Sequence, residues 1–302
     1  MADDGDLRWT AARGVLDRLG ETGDDELIRD GGTLMVRRGQ VIARVWPTVG
    51  ADVARREVVV ARCLATTGVP VTTLVAGDDQ PWNVDGLVVS AWRWVDQIGA
   101  ASPADLGVLA RRLRQATSFG SAPAGPPPCV LALPALDPIG AVERVLAGLI
   151  DDGGPVAGDA AFLRARAEEL AGPFGLAAAA DPLGRAVVHG DLHRDNVLTT
   201  AEGVLLTDLE LVGVGPPSYD AAPAALAVRR YGAPPADLDR FLGGFGADPR
   251  QWDGFPTLVA VYELWVTAWA LGNGHRDPGW AEEAQRRVRS LRDDEDQSWS
   301  LR

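Results

Sequence analysis

Two stretches decide the fold: Val187-Val188-His189-Gly190-Asp191-Leu192-His193-Arg194-Asp195-Asn196-Val197-Leu198, and Val204-Leu205-Leu206-Thr207-Asp208 just beyond it. An Asp and an Asn stand five positions apart in a short polar loop between apolar runs. A second Asp lies twelve residues past the Asn, at the end of another apolar run. Phosphoryl transfer to a hydroxyl needs such a set: one carboxylate to take the hydroxyl proton, and a carboxylate plus an amide oxygen to hold Mg²⁺ against nucleotide phosphates. The order H-x-D-x-x-x-x-N, then a strand ending in Asp, points to that chemistry. Each residue also has an ordinary structural alternative: Asp191 as a turn residue, Asn196 as the lead into a strand, Asp208 as a strand cap. With only three asparagines in the chain, one at this spacing is poorly explained by chance.

Outward from the loop, the chain divides by pattern. Leu7, Ala11, Val15 and Leu19 form one helical stripe. Segments 26–29, 33–37 and 41–46 read as short strands, with turns at Asp30-Gly31-Gly32 and Arg38-Gly39-Gln40. Residues 51–67 read as a helix ended by Gly68 and Pro70, and 87–92 as a buried strand running into Arg93-Trp94-Val95. From Ser102, a helix N-cap with Pro103 in the first position, the character turns helical. Helices are expected over 103–117, 139–151 and 159–179, with a proline-rich connection over 120–138. Two short strands joined at Ala201-Glu202-Gly203 accompany the loop. From about Tyr219 onward the chain reads as helical, and the charged tail 292–302 as fraying.

Composition narrows the partners. In 302 residues, 42 acids face 29 bases, a net charge of −13. No basic footprint for nucleic acid is present. An acidic surface fits a cationic small substrate and fits simple solubility equally well. All the bases are Arg; the chain has no Lys. Cys63 and Cys129 lack metal spacing, so two thiols in a reducing cytoplasm are the expectation. The acidic N-terminus does not read as a signal peptide, no apolar run reaches transmembrane length, and a monomer is the default.

On the loop His189–Asn196, and on Asp208 followed by Gly213-Val214-Gly215-Pro216-Pro217-Ser218-Tyr219-Asp220, the chain resembles the aminoglycoside phosphotransferase and choline kinase branch of the protein-kinase-like fold. The resemblance implies an α+β bilobal architecture: a small β-rich N-terminal lobe over 1–95, closing in an interlobe hinge, and a larger, mainly helical lobe over 96–302. A nucleotide, ATP or GTP, would lie between the lobes. It implies Asp191 as the catalytic base and Asn196 and Asp208 as Mg²⁺ ligands. It makes His189 a holder of the loop backbone, with a base in its own right as the alternative, and Asp220 a brace.

Arg44 occupies the slot where such enzymes carry a phosphate-binding Lys, with Glu57 on the next helix as its partner; an exposed strand Arg is the alternative. Asp30-Gly31-Gly32-Thr33 reads either as a phosphate-covering turn or as a plain hairpin turn. Arg93 and Val95 mark where backbone would meet the nucleotide base. Glu263, Trp265 and Trp269, with Asn273 and His275, form a cluster that either meets a small hydroxylated substrate or packs in the core. The acceptor classes left open are aminoglycosides and other antibiotics, choline, amino alcohols, sugars and homoserine. A nucleotide-binding protein without turnover is the rival reading, because of the Arg at position 44.

Overall fold

The computed structural model describes residues 4–75, 77, 79–120, 125–151, 154, 156–293, 295 and 297–300. They fall into two compact units, one comprising Met1–Ala101 with Asp195–Glu210, the other Ser102–Arg194 with Leu211–Arg302.

The first unit is a sheet with a helix on each face. Helix α1 (Asp4–Arg18) precedes strands β1 (Glu26–Asp30), β2 (Leu34–Arg38) and β3 (Val41–Trp46). Helix α2 (Ala51–Thr67) and strands β4 (Trp82–Val84) and β5 (Leu87–Arg93) follow. The five strands are antiparallel in the order β1-β2-β3-β5-β4. Alternation sets what each face does. Val41, Ala43 and Val45 of β3 join Leu87, Val89 and Ala91 of β5 in a core with Ala11, Ala12, Val15 and Leu16 of α1. The opposite face of β3 carries Arg44 and Trp46, and Trp46 packs on Ala54 of α2 and Val88 of β5. Each fully buried aliphatic side chain in such a core contributes roughly 1.5–3 kcal/mol. The stripe on α1 is rotated from its expected position: Leu7 is exposed and Leu16 takes its place in the core. Helix α2 ends where Gly68 turns left-handed at φ 75°, a conformation that suits a residue without Cβ.

The second unit is mainly helical. Helix α3 (Pro103–Thr117) starts with a reciprocal cap, in which the Ser102 hydroxyl accepts from the Asp105 N–H and the Asp105 carboxylate accepts from the Ser102 N–H. Next come the short α4 (Pro128–Leu131), within the proline-rich connection, then α5 (Pro138–Asp151), α6 (Ala157–Ala180) and strand β6 (Ala186–Val188).

After β6 the chain supplies the first unit with a hairpin, β7 (Val197–Thr200) and β8 (Gly203–Leu206). The hairpin belongs there because Leu206 exchanges backbone bonds with Pro70 and Thr72, and the Ile98 N–H donates to the Thr199 carbonyl. Sequence placed the boundary at residue 95 and could not see this return, which pairs segments more than a hundred residues apart. The chain then re-enters the second unit with β9 (Gly213–Gly215), antiparallel to β6. Helices α7 (Ala222–Arg230), α8 (Pro235–Phe245), α9 (Phe255–Arg276) and α10 (Pro278–Arg292) complete it.

Two sequence expectations fail here. The tail does not fray at Trp299, which is buried, with its N–H donating to the Arg230 carbonyl. Neither cysteine is a free thiol. One stretch of α9, Phe255–Gly274, is long and apolar enough to cross a membrane by length and composition. Its Leu258, Val261, Leu264, Ala268 and Leu271 are all buried, as in a core helix.

Candidate active site

Arg44 is the centre of the charged cluster in the first unit. Strand alternation points it away from the α1 core, and Glu57, nearly two turns into α2, meets it: Arg44 Nη1 donates to Glu57 Oε1 at 2.9 Å. Its Nη2 donates to Glu210 and lies 3.7 Å from Asp208 Oδ1. The guanidinium stacks 4.2 Å from the Trp46 ring centroid. With side-chain exposures of 9% and 2%, Arg44 and Glu57 form a buried pair, not an exposed surface contact. Burial alone would lower the Arg44 pKa, but the charges of Glu57, Glu210 and Asp208 outweigh it and hold the guanidinium well above its usual value.

The acids respond oppositely. Burial raises the Glu57 carboxyl against the pull of Arg44. Burial, reinforced by the negative charge of Asp208, pushes Glu210 up to about 8. Glu210 has no place in the sequence reading, although it stands only two residues past Asp208.

Hairpin register explains how Asn196 and Asp208 come together. Val197 pairs with Leu206, so the next residues outward, Asn196 and Thr207, also face each other. The Thr207 N–H donates to the Asn196 carbonyl at 3.0 Å. Asp208 follows in a left-handed conformation, φ 56°, which is costly for a residue with Cβ and least so for Asp and Asn. Its Oδ1 is buried with no hydrogen-bond partner among the described residues. A carboxylate and an amide oxygen are the hard ligands Mg²⁺ accepts, and an orphaned carboxylate oxygen suits a cation. Among the described residues no three His, Cys, Asp or Glu side chains form a fuller metal cage.

At the end of β5 the Arg93 N–H donates to Thr73 and the Trp94 N–H to Gln40. Among the described residues, the Val95 N–H and carbonyl have no backbone partner. The Arg93 side chain is exposed. Thr33, in the Gly31-Gly32-Thr33 turn, accepts from Arg44 Nε at 3.4 Å.

In the second unit, the loop after β6 is built on Asp220. Its two carboxylate oxygens each accept a backbone N–H at 2.9 Å, one from His189 and one from Gly190. Burial raises the Asp220 carboxyl even so, with His189 and the two backbone donors opposing. Gly190 is at φ 83°, and a Cβ there would lie 2.8 Å from the Leu211 carbonyl, so the turn requires glycine. The fully buried His189 accepts a long contact, 3.4 Å, from the Asp191 N–H at Nδ1. Asp191 Oδ1 accepts from the Tyr262 hydroxyl at 2.6 Å, and Oδ2 lies 3.6 Å from His193 Nε2. Burial pushes the Asp191 carboxyl up, but His193, Tyr262 and His189 outweigh it and hold it below the usual range. Sequence gave neither His193 nor Tyr262 a role.

The C-terminal cluster is not one surface. The Glu263 carboxylate is buried and accepts from Arg230 and from Arg229, the latter at 3.3 Å. It does not join the tryptophans: Trp265 lies two residues on, about 200° around the helix. Trp269 is 38% exposed and meets Trp280 edge-on, ring centroids 5.1 Å apart. Trp265 is half-buried and the Asn273 amide donates to the Trp269 carbonyl. The His275 side chain lies outside the described residues. A cation already occupies the aromatic surroundings. The buried Arg287 guanidinium lies 5.5 Å from Tyr231, 5.6 Å from Trp280 and 5.1 Å from Trp299.

Comparison with known proteins matches this architecture. A choline/ethanolamine kinase family protein from Mesorhizobium loti is 21% identical, over 94% of this chain and 95% of that one, with a TM-score of 0.59. The GDP and kanamycin complex of APH(2")-IIia is 15% identical, over 95% and 99% of the two chains, with a TM-score of 0.61. The choline kinase LicA from Streptococcus pneumoniae is 14% identical, over 92% and 97%, also at 0.61. At such identities the likeness is one of fold. No curated protein matches in sequence. The family model described as the phosphotransferase enzyme family matches residues 33–255, close to three quarters of the chain, and the protein belongs to that family.

Proposed function

We propose that this phosphotransferase moves the γ-phosphoryl group of ATP or GTP to a hydroxyl of a small polar molecule. Asp191 is the general base, Asn196 and Asp208 hold Mg²⁺, and Arg44, oriented by Glu57, meets the nucleotide phosphates. The N–H and carbonyl of Val95, after Arg93, which have no backbone partner among the described residues, take the nucleotide base through backbone bonds. The observation that carries this reading is the buried Arg44–Glu57 pair with the Asp208 carboxylate at its edge. A permanent cation held by Glu57 and Glu210, 3.7 Å from an Asp208 oxygen that has no hydrogen bond among the described residues, suits a metal-bound polyphosphate.

The metal would neutralise charge on the phosphates. The protein's own share is positioning. Asp220 and Gly190 fix the loop, Asp191 stays ionised and able to accept a proton, and Arg44 spans phosphate oxygens. An aminoglycoside or another hydroxylated antibiotic is the acceptor we favour. The complex of APH(2")-IIia with GDP and kanamycin is a structural neighbour. Phosphorylation would add negative charge to a group the drug's target must recognise, which would confer resistance. Choline, other amino alcohols, sugars and homoserine are the alternatives, given the choline kinase neighbour. We place the activity in the cytoplasm, where nucleoside triphosphates are available.

A second reading, nucleotide binding without turnover, draws on the three carboxylates that already engage Arg44. The deciding assay follows ADP or GDP release across aminoglycosides, nucleoside antibiotics, sugars and amino alcohols. Acceptor-dependent release that vanishes in Asp191→Ala, with nucleotide still bound, supports the enzyme. No release with any acceptor, together with Mg²⁺-independent nucleotide binding, supports the second reading.

A further inference from the structure

Asp191 is held from two sides, and one of them is a residue that the motif does not contain. Tyr262, at the centre of α9, is buried, and its hydroxyl donates to Asp191 Oδ1 at 2.6 Å. The ring is fixed by aromatic contacts: Tyr219 lies edge-on to it at 6.2 Å, and Phe174 lies edge-on to Tyr219 at 6.0 Å. A buried phenol locked in this way offers one donor in one direction.

We infer that Tyr262 is a positioning residue for Asp191, its hydroxyl fixing Oδ1 so that Oδ2 is the oxygen that takes the acceptor's proton. The inference rests on the phosphotransferase reading above. In the step it serves, the acceptor O–H bond breaks and its proton passes to Asp191 Oδ2. The acceptor oxygen forms the new bond to the γ-phosphorus, and the bond from that phosphorus to the bridging oxygen breaks. Its electron pair leaves on the nucleoside diphosphate.

The surroundings suit this role. Burial raises the Tyr262 phenol well above its usual pKa, with the Asp191 charge adding to it, so the hydroxyl keeps its proton. The titratable groups facing Asp191 are His193 and His189 on its own loop and Tyr262 on α9. Beyond those, Tyr219 and Asp220 lie on the turn before α7, and Tyr231 at the end of α7. Of these, Tyr262 has a hydroxyl bonded to the carboxylate, whereas the Tyr219 hydroxyl is buried with no hydrogen-bond partner among the described residues.

Tyr262→Phe removes the hydroxyl and keeps the ring. Because the acceptor is unidentified, the probe is Mg·ATP or Mg·GTP hydrolysis to water, in wild type, Y262F and D191N. Y262F is expected to lower kcat about tenfold or more while leaving the nucleotide KM within about twofold. Losing a donor to the carboxylate should also move the acid limb of the pH profile up by roughly one pH unit. A second measurement needs no turnover: the Asp191 carboxyl carbon, assigned by its absence in D191N, is titrated by NMR in wild type and Y262F, and the same upward shift is expected. Wild-type kcat and acid limb in Y262F, an unchanged Asp191 titration, or a Y262F protein that no longer folds would each overturn the inference. Equal hydrolysis by wild type and D191N would instead count against the phosphotransferase reading, while the carboxyl titration still decides on Tyr262.

Discussion

The charged clusters of the two units are mirror images in sign. Around Arg44, one cation is ringed by Glu57, Asp208 and Glu210, and the surplus of negative charge drives two of the acids toward their protonated forms. Around Asp191, one anion is ringed by His189, His193 and Tyr262, and the surplus of donors keeps it ionised. Three carboxylates on one guanidinium, only Glu57 of them fully buried, leave a net negative charge that further positive charge would offset. A site that holds a single carboxylate charged is already poised to accept a proton.

The contrast breaks most visibly at Asp191. Asp191→Ala should lower the transfer rate by about 10²–10⁴-fold, the usual contribution of a general base, with nucleotide affinity little changed. Single-turnover rates and nucleotide titration measure the two separately. A comparable loss of nucleotide binding would mean that Asp191 is not confined to proton transfer.

Arg44→Ala tests the other half and should act first on stability. Removing one partner of a buried pair leaves its carboxylate without a counter-charge, at a cost of about 3–5 kcal/mol. Here three acids would be left. Urea denaturation should show the drop, and Arg44→Lys, which keeps the charge and loses the planar fork, should show less of it. If Arg44→Ala unfolds at the wild-type midpoint, the cluster is solvated and the comparison fails.

These two sites were not equally legible in sequence. Arg44 and Glu57 could be paired because of the slot they occupy in the family resemblance, and Asn196 and Asp208 because of the motif spacing; strand alternation and hairpin register explain afterwards how each pair is placed. Glu210 was missed because nothing in a 3₁₀ turn signals which side chain looks back at a strand residue 166 positions earlier. In α9 the difficulty was different. The helix is apolar nearly all round, so its sequence has no polar face to mark which side meets which neighbour. Tyr262 and Glu263 are adjacent and point about 100° apart. One reaches Asp191 and the other Arg230, and only packing distinguishes them. The tail was misjudged for a similar reason: eleven residues rich in charge read as solvated, yet Trp299 and the backbone bonds to Arg230 and Arg287 fasten it.

A smaller effect should appear in pH dependence. Glu210 titrates near 8 in the folded protein and near its ordinary 4.5 when unfolded, so the folded state binds the extra proton between those values. Stability therefore falls as pH rises from about 4.5 to 8, and Glu57, also raised, adds to the slope. In EDTA, Glu210→Gln should flatten this decline, read as the urea midpoint across that range. A slope unchanged by the substitution would show that Glu210 carries no excess proton, and the surplus of negative charge around Arg44 would lose its main support.

The smallest effect should come from Arg93. Its side chain is exposed while its backbone N–H is committed to Thr73, and the backbone groups with no backbone partner among the described residues belong to Val95, two residues on. If the nucleotide base is met by main chain alone, Arg93→Ala should change the nucleotide Kd by less than about twofold, since exposed charged side chains contribute little. Calorimetric titration with ATP and GTP would measure it. A tenfold loss would instead assign Arg93 a direct contact through its guanidinium. The first unit would then hold a second cation committed to the ligand, and the charge deficit around Arg44 would be shared by two arginines rather than borne by one.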